Sequence, residues 1–449
     1  MIFMNKFIKN RFQSSLAYCL MFLCLQPAAL WAQSVSLEEA IELALKNRAE
    51  LKNAQIDITL ATRENEKLSA QWLPQVKGSA DVRWNTQLQT TILPFDITGQ
   101  NPAGSTELKF GLPFSNTLSI EAEQKILDPK SKFSRKLNEN RVRIEQNVYQ
   151  QKQISIRQLV TEAYYQVLLH QERSRLAEET VNREEKNLAI TQTQAAAGTL
   201  LPNDLDRVQL DVRTANLRLR KARQDLNLAL SALSFRMGLP DGETVSPAQT
   251  LRQVLTSLSI NTEINELPRT ELAAEELTLI TQQLSQQREK AVQLPTLSAY
   301  GTYAALQLSE QFNPFASGTW YPFNYIGLRL NVPIFDGRQA KLAANDYVLR
   351  QQQSQQTFNQ LQKELIYERQ NALVTLQQAQ LDVEDSRDNL ELAQKILATD
   401  LFRFEKETLS LSELTATQSS VQDAEDAYLT NAYNYLLALV RYRKATGTL

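Results

Sequence analysis

The chain carries one histidine, His170, and two cysteines, Cys19 and Cys24. A zinc site or a histidine-based triad needs several such side chains together, and neither can be assembled from this set. His170 falls one helical step beyond Val167 on an apolar stripe and reads as a packing residue. Carboxylate pairs such as Glu38-Glu39 and Glu184-Glu185 have basic neighbours and no pocket signal, so general acid chemistry has no support there. Neither a glycine-rich phosphate loop nor a G-x-S-x-G elbow occurs. The residue types therefore give no reason to expect an enzyme, a cofactor or a metal. With 48 Lys+Arg against 50 Asp+Glu and a net charge of −2, the chain lacks the basic surplus of a nucleic-acid binder. Apolar residues at 43% and charged residues at 22% are ordinary globular usage, which argues against wholesale disorder.

Both cysteines sit in an N-terminal leader. Lys6, Lys9 and Arg11 precede an apolar run, Leu16 to Leu25, and a small-residue stretch ends at Ala32. Residues 1–32 read as a secretory signal peptide, leaving an exported chain without cysteine. No later run reaches the 18 or so apolar residues of a membrane helix, so membrane entry would have to use β-strands.

The elements follow from punctuation. Residues 130–197 and 338–446 contain neither Gly nor Pro, runs of 68 and 109 residues. Because Gly costs about 1 and Pro about 3 kcal/mol inside a helix, such runs predict long helices. The spacing predicts a helix over 36–72, strands and loops over 73–128, a long helix over 130–197 and a helix over 203–237. An irregular stretch at 238–267 follows, then a helix over 269–293, strands and loops over 294–336, a long helix over 338–407 and a helix over 410–446. At about 1.5 Å per residue, 70 helical residues span roughly 105 Å, which calls for a rod or tube.

The sequence also repeats. Leu205, Val208, Val212, Ala215, Leu219, Ala222, Leu226, Ala229 and Leu233 map, at an offset of 209, on Leu414, Thr417, Val421, Ala424, Tyr428, Asn431, Tyr435, Ala438 and Tyr442. The domain organisation expected is a leader (1–32), a first repeat (33–240), an inter-repeat linker or equatorial segment (241–268) and a second repeat (269–449). The 3,4 spacing of the stripes predicts left-handed coiled-coil packing.

Four strands alternate. In 76–85 Val76, Val82 and Trp84 oppose Lys77, Asp81 and Arg83. In 117–126 Leu118, Ile120 and Ala122 oppose Glu121 and Glu123. In 326–334 Ile326, Leu328 and Leu330 oppose Arg329. The strand 296–308 alternates less cleanly, since Tyr300, Ala304 and Leu306 share the face of Thr296 and Ser298. An apolar face set against a charged one fits a barrel wall between lipid and water, with Lys77, Asp81, Arg83, Glu121, Glu123 and Arg329 toward the lumen. An antiparallel sheet with one solvated face has the same pattern. Four strands fall short of the roughly eight needed to close a barrel, so a barrel requires an oligomer. The connections 87–115 and 309–324 read as exposed loops.

Taken in order, "SLEEAIELALKNRAEL" (36–51), "QWLPQVKGSADVRW" (71–84), its echo "AVQLPTLSAYGTY" (291–303), "AAGTLLPNDLDRVQLDV" (196–212) and "NVPIFDGRQAKLAAN" (331–345) resemble the TolC family of outer-membrane efflux proteins. The resemblance covers nearly the whole exported chain. It implies a mainly α fold with β: a homotrimer whose 12-stranded outer-membrane β-barrel, four strands per chain, continues as a long periplasmic α-helical barrel. The implied setting is the Gram-negative outer membrane, with its lipid around the barrel. A periplasmic adaptor (membrane fusion protein) and an inner-membrane transporter are the implied partners. The implied function is a passive exit duct of a tripartite efflux or type I secretion system. A periplasmic coiled-coil structural or adaptor protein is the other reading, which the alternating strands disfavour.

Two helix-hairpin turns, near 198–206 and 405–415, would form the inner mouth. The resemblance implies acidic residues there, matched by Asp204 and its repeat mate Glu413, with Arg207, Arg403 and Lys406 close in sequence. Ser410 and Glu413 also have capping-box spacing. Phe404 stands where relatives place an aromatic latch. Adaptor contact is expected at Gly198, Thr199, Leu200, Thr408 and Leu409. The two turns differ, Ala197-Gly198-Thr199 against Lys406-Glu407-Thr408.

Overall fold

The structure, a computed structural model, describes residues 33–94, 106–198, 202–240, 242–257, 268–313 and 320–449. The expected leader lies outside these residues. In chain order the elements are β1 (Gln33–Val35), α1 (Leu37–Asn47), α2 (Ala49–Ala70), β2 (Gln75–Trp84), β3 (Thr90–Leu93), β4 (Thr106–Lys109), β5 (Phe114–Leu127) and α3 (Pro129–Ala196). They continue with α4 (Pro202–Met237), β6 (Val245–Pro247), α5 (Leu251–Ser257), α6 (Thr270–Ala291), β7 (Thr296–Ser309), β8 (Trp320–Asn331), α7 (Gln339–Glu405) and α8 (Leu411–Ala445). The chain divides into two compact units, and α3 and α7 each contribute to both.

One unit comprises Glu50–Lys152 and Leu267–Glu368 and holds the sheet. Its four strands run antiparallel in the order β2-β5-β7-β8, leaving β2 and β8 as edges. Buried asparagines help to fasten its helices. Asn138 Nδ2 donates to Ala61 O and Asn65 Oδ1 of α2, at 2.8 and 2.9 Å. Asn140 Nδ2 donates to Leu277 O and Thr281 Oγ1 of α6, both at 2.8 Å. Such buried amides fix helix register, because a slip would strand their hydrogen bonds. The loop expected over 87–115 differs from the structure: β3 and β4 pair within it as a two-stranded ribbon.

The other unit comprises the chain up to Ala49, Gln153–Glu266 and Arg369–Leu449. It packs by the predicted stripes. Ile156, Val160, Ala163 and Val167 of α3 are buried, as are Val208, Ala215, Leu219, Ala229 and Leu233 of α4. Leu376, Ala379 and Leu397 of α7 and Leu414, Val421, Tyr435, Ala438 and Tyr442 of α8 are buried too. β6, inside the stretch expected to be irregular, pairs in parallel with β1, and Tyr164 Oη donates to Val35 O at 3.1 Å.

The helix expected over 36–72 is two helices. α1 starts with a capping box, Ser36 with Glu39, and stops at Arg48, whose ψ of 124° is extended. Arg48 Nη1 donates to Arg236 O, and Gly238, with φ +69°, lies against Asn47 and Arg48. A Cβ at Gly238 would come within 3.3 Å of Asn47, so the missing side chain admits this contact.

Candidate functional site

The register sorts the sheet into two faces. Val76 pairs with Ala122, Gly78 with Ile120 and Ala80 with Leu118. Ile120 then pairs with Tyr303, and Ala122 with Gly301, which pairs with Ile326. Leu328 and Leu330 continue this apolar face through Ala299 and Leu297. It stays open in the protomer, with Ile120 57% and Ile326 92% exposed. A folded chain that leaves so broad an apolar surface uncovered has a surface meant for lipid or another chain.

The opposite face brings together all six residues predicted for the lumen. Lys77 lies across from Glu121, and Gln75 across from Glu123. Asp81 and Arg83 share this face and approach to 3.6 Å, while Ser79 and Ser119 hydrogen-bond at 2.7 Å. Arg329 reaches it through Ser298 and Lys125. The irregular alternation of β7 has its cause here. Tyr300 belongs to the charged face, its ring lies over Gly327, and the Arg329 guanidinium stacks on it at 4.6 Å. A Cβ on Gly327 would stand 2.8 Å from that ring.

The two turns belong to the helical unit. Gly198 has φ +76°, and Glu407, its mate at the offset of 209, also takes the left-handed conformation, with φ +56°. Thr408 N donates to Arg403 O and Glu407 N to Phe404 O, the bonds that close a helix with a left-handed residue. Thr199 and Leu200 lie outside the described residues. Thr408 is exposed, and Leu409 packs against the cluster that contains Phe404.

The predicted mouth residues take distinct places. Asp204 is half-buried in the first turn of α4, and Arg207 is exposed one turn on. Glu413 is exposed and accepts from Ser410 N and Ser410 Oγ, at 3.1 and 2.8 Å. These bonds hold its carboxyl below the usual range, with a smaller contribution from Arg403. Arg403 lies 3.5 Å from Asp400, which also accepts from Thr417 Oγ1 at 2.7 Å. Asp400 thus tethers Arg403, a role sequence reasoning did not pick out. Among the described residues no ion pair joins Asp204 or Glu413 to Arg207 or Arg403. Phe404 is 2% exposed and sits among Val208, Leu397, Leu411, Leu414 and Val421. Within the protomer it is part of the core that unites the two hairpins.

Behind the turns runs a polar seam that sequence reasoning also missed. Thr180, Glu184, Asn187, Thr191 and Gln194 of α3 recur at 4,3,4,3 spacing and are all buried. Gln418 and Glu425, at core positions of α8, are buried as well. Glu184 accepts from Asn187 and Gln418, at 3.2 and 3.4 Å, and burial raises its pKa. Burial raises Glu425 likewise. The signal available was that spacing, which puts polar side chains where a coiled coil wants leucines. His170 is half-buried, its pKa lowered first by burial and then by Arg173.

The chain thus combines a four-stranded sheet that has one apolar and one charged face with long helical hairpins. Residues 40–239 match the family of outer membrane efflux proteins. Solved structures carry the likeness across nearly the whole chain. CusC is 17% identical with a TM-score of 0.73, over 94% of this chain and 95% of that one. The Campylobacter jejuni CmeC outer membrane channel is 17% identical with a TM-score of 0.69, over 92% and 85%. The Vibrio cholerae outer membrane protein VceC is 13% identical with a TM-score of 0.67, over 94% and 99%. No curated protein matches the chain by sequence. The structural likenesses show a shared fold over nearly the whole chain.

Proposed function

We propose that three copies close one 12-stranded barrel and form a passive exit duct, fed by a periplasmic adaptor and an inner-membrane transporter. The observation that carries this reading is the open four-stranded sheet with two unpaired edges and an uncovered apolar face. An isolated edge invites another strand, and closure by neighbours satisfies it. The helical unit supports association. Leu210 and Leu217 on α4, and Val374 and Leu381 on α7, are exposed at heptad spacing, which supplies seams for adjacent copies.

The duct has no energy source of its own, so coupling belongs to the partners. The turns at Gly198–Leu200 and Thr408–Leu409 are the adaptor contacts. Asp204 and Glu413 from three copies place six carboxylates around the periplasmic aperture, where Arg207, Arg403 and Lys406 temper their repulsion. Phe404 fixes the hairpin cores that carry this ring. The charged sheet face, with Lys77, Asp81, Arg83, Glu121, Glu123 and Arg329, lines the lumen. Two charges about 6 Å apart in water repel by roughly 0.7 kcal/mol, so the ring draws polyvalent cations. The test is block by a trivalent cation in planar bilayers. Asp204→Ala combined with Glu413→Gln weakens the block, the glutamine keeping an acceptor for Ser410. Unchanged block in a conducting variant would remove these residues from the aperture.

A further inference from the structure

The sheet-bearing unit has a groove of about 1090 Å³ where the strands give way to helices. Trp72, Leu68, Phe133 and Leu294 give it apolar surface, and Lys130, Lys132 and Lys136 give it charge. Two further cations on its lining are already matched: Lys125 lies 3.5 Å from Asp128, and Arg135 is 3.2 Å from Glu139. Among the described residues no ion pair joins Lys130, Lys132 or Lys136, and all three are exposed. Lys132 and Lys136 stand one turn apart on α3, so two like charges sit side by side with no carboxylate between them. The groove shares Gln71 and Lys125 with a smaller cavity of about 330 Å³ lined by Gln75, Lys77, Glu121 and Glu123. It is therefore continuous with the charged face of the sheet rather than the apolar one.

We propose that this groove is a binding site for amphiphilic organic anions, an apolar body against Trp72 and Phe133 with its acid group on Lys130, Lys132 and Lys136. The chemistry is that of the lining. Uncompensated ammonium groups favour a carboxylate, sulfonate or phosphate, and the aromatic and aliphatic floor favours an acid that carries hydrocarbon over a bare ion. In the assembled duct the site recurs once per chain at the throat, so the proposal rests on the charged face being the lumen. It adds a preference in cargo that the carboxylates of the aperture do not supply.

The probe is 2-naphthalenesulfonate, with the neutral 2-naphthalenesulfonamide and inorganic sulfate as comparisons. Titration calorimetry on the full chain in neutral detergent, against a blank of empty micelles, reads binding whether or not the protein conducts. The sulfonate is expected to bind more tightly than either comparison, and more weakly as salt is raised. The triple variant Lys130→Gln, Lys132→Gln, Lys136→Gln should weaken it roughly tenfold, since each exposed charge contact is worth up to a few-fold. These glutamines replace exposed side chains, so a retained heat-modifiable band certifies the fold. In planar bilayers the sulfonate should block wild type at lower concentration than the triple variant. Equal binding by the triple variant, or by the sulfonamide, overturns the site. Binding without block in a conducting channel overturns its placement in the duct. A wild type that never conducts counts against the duct reading itself, while the calorimetry still decides the site.

Discussion

Ile120 and Thr117 lie on one strand, β5, on opposite faces, and an arginine at each separates a membrane wall from an ordinary sheet. Ile120 is central on the apolar face, across from Gly78 and Tyr303, and more than half exposed. Thr117 is on the charged face directly across from Asp81. A cation on the lipid side near mid-membrane costs about 2–4 kcal/mol per chain, and a closed trimer carries three. Thr117→Arg meets water and a carboxylate, and such cross-strand opposite charges contribute about 0.2–1 kcal/mol in favour. Ile120→Arg should therefore sharply lower heat-modifiable trimer recovered from outer membranes, while Thr117→Arg should leave it near wild type. Urea unfolding from lipid vesicles gives the same comparison as a free energy. If both arginines destabilise equally, or Thr117→Arg is the worse, the sheet is a solvated one and the reasoning fails.

The turns and the polar seam yield two more expectations. Glu407 occupies a left-handed position that its repeat mate fills with Gly198, so Glu407→Gly should stabilise the helical unit by about 1 kcal/mol, read from its denaturation midpoint. Glu184 is buried with its pKa raised, so the folded chain holds that proton more tightly than the unfolded chain. Its contribution to stability is then greatest below the ordinary glutamate range and falls as pH rises through the raised folded value. Glu184→Gln keeps an acceptor for Asn187 and Gln418, should raise the melting temperature at neutral pH, and should flatten that dependence in thermal scans.

Much of the architecture was legible because its signals are local. Runs without Gly or Pro located both ends of α3 and the start of α7 to within a residue, and alternation located β2, β5 and β7; β8 begins at Trp320, inside the expected loop 309–324, and ends at Asn331 rather than 334. The break at Arg48 was not legible, since the apolar period runs on from Ala44 to Leu51. What ends α1 is distant in sequence, the Arg236 carbonyl and Gly238. The β1–β6 pair is three residues long and joins segments some 210 apart, below what periodicity resolves. Which side chains share a face of the sheet was legible by parity alone, because one strand's alternation fixes a whole face. Those of the mouth were legible as types but not as contacts. Glu413 announces its cap through Ser410, whereas the Asp400 tether of Arg403 and the burial of Phe404 depend on how two hairpins pack.

The number of chains in the closed assembly tests the account most directly, because four strands per chain make a barrel only by association. Native mass spectrometry of protein extracted from outer membranes in neutral detergent should give the mass of three mature chains that separate only on heating. A single chain, stable alone in the same detergent, would contradict it.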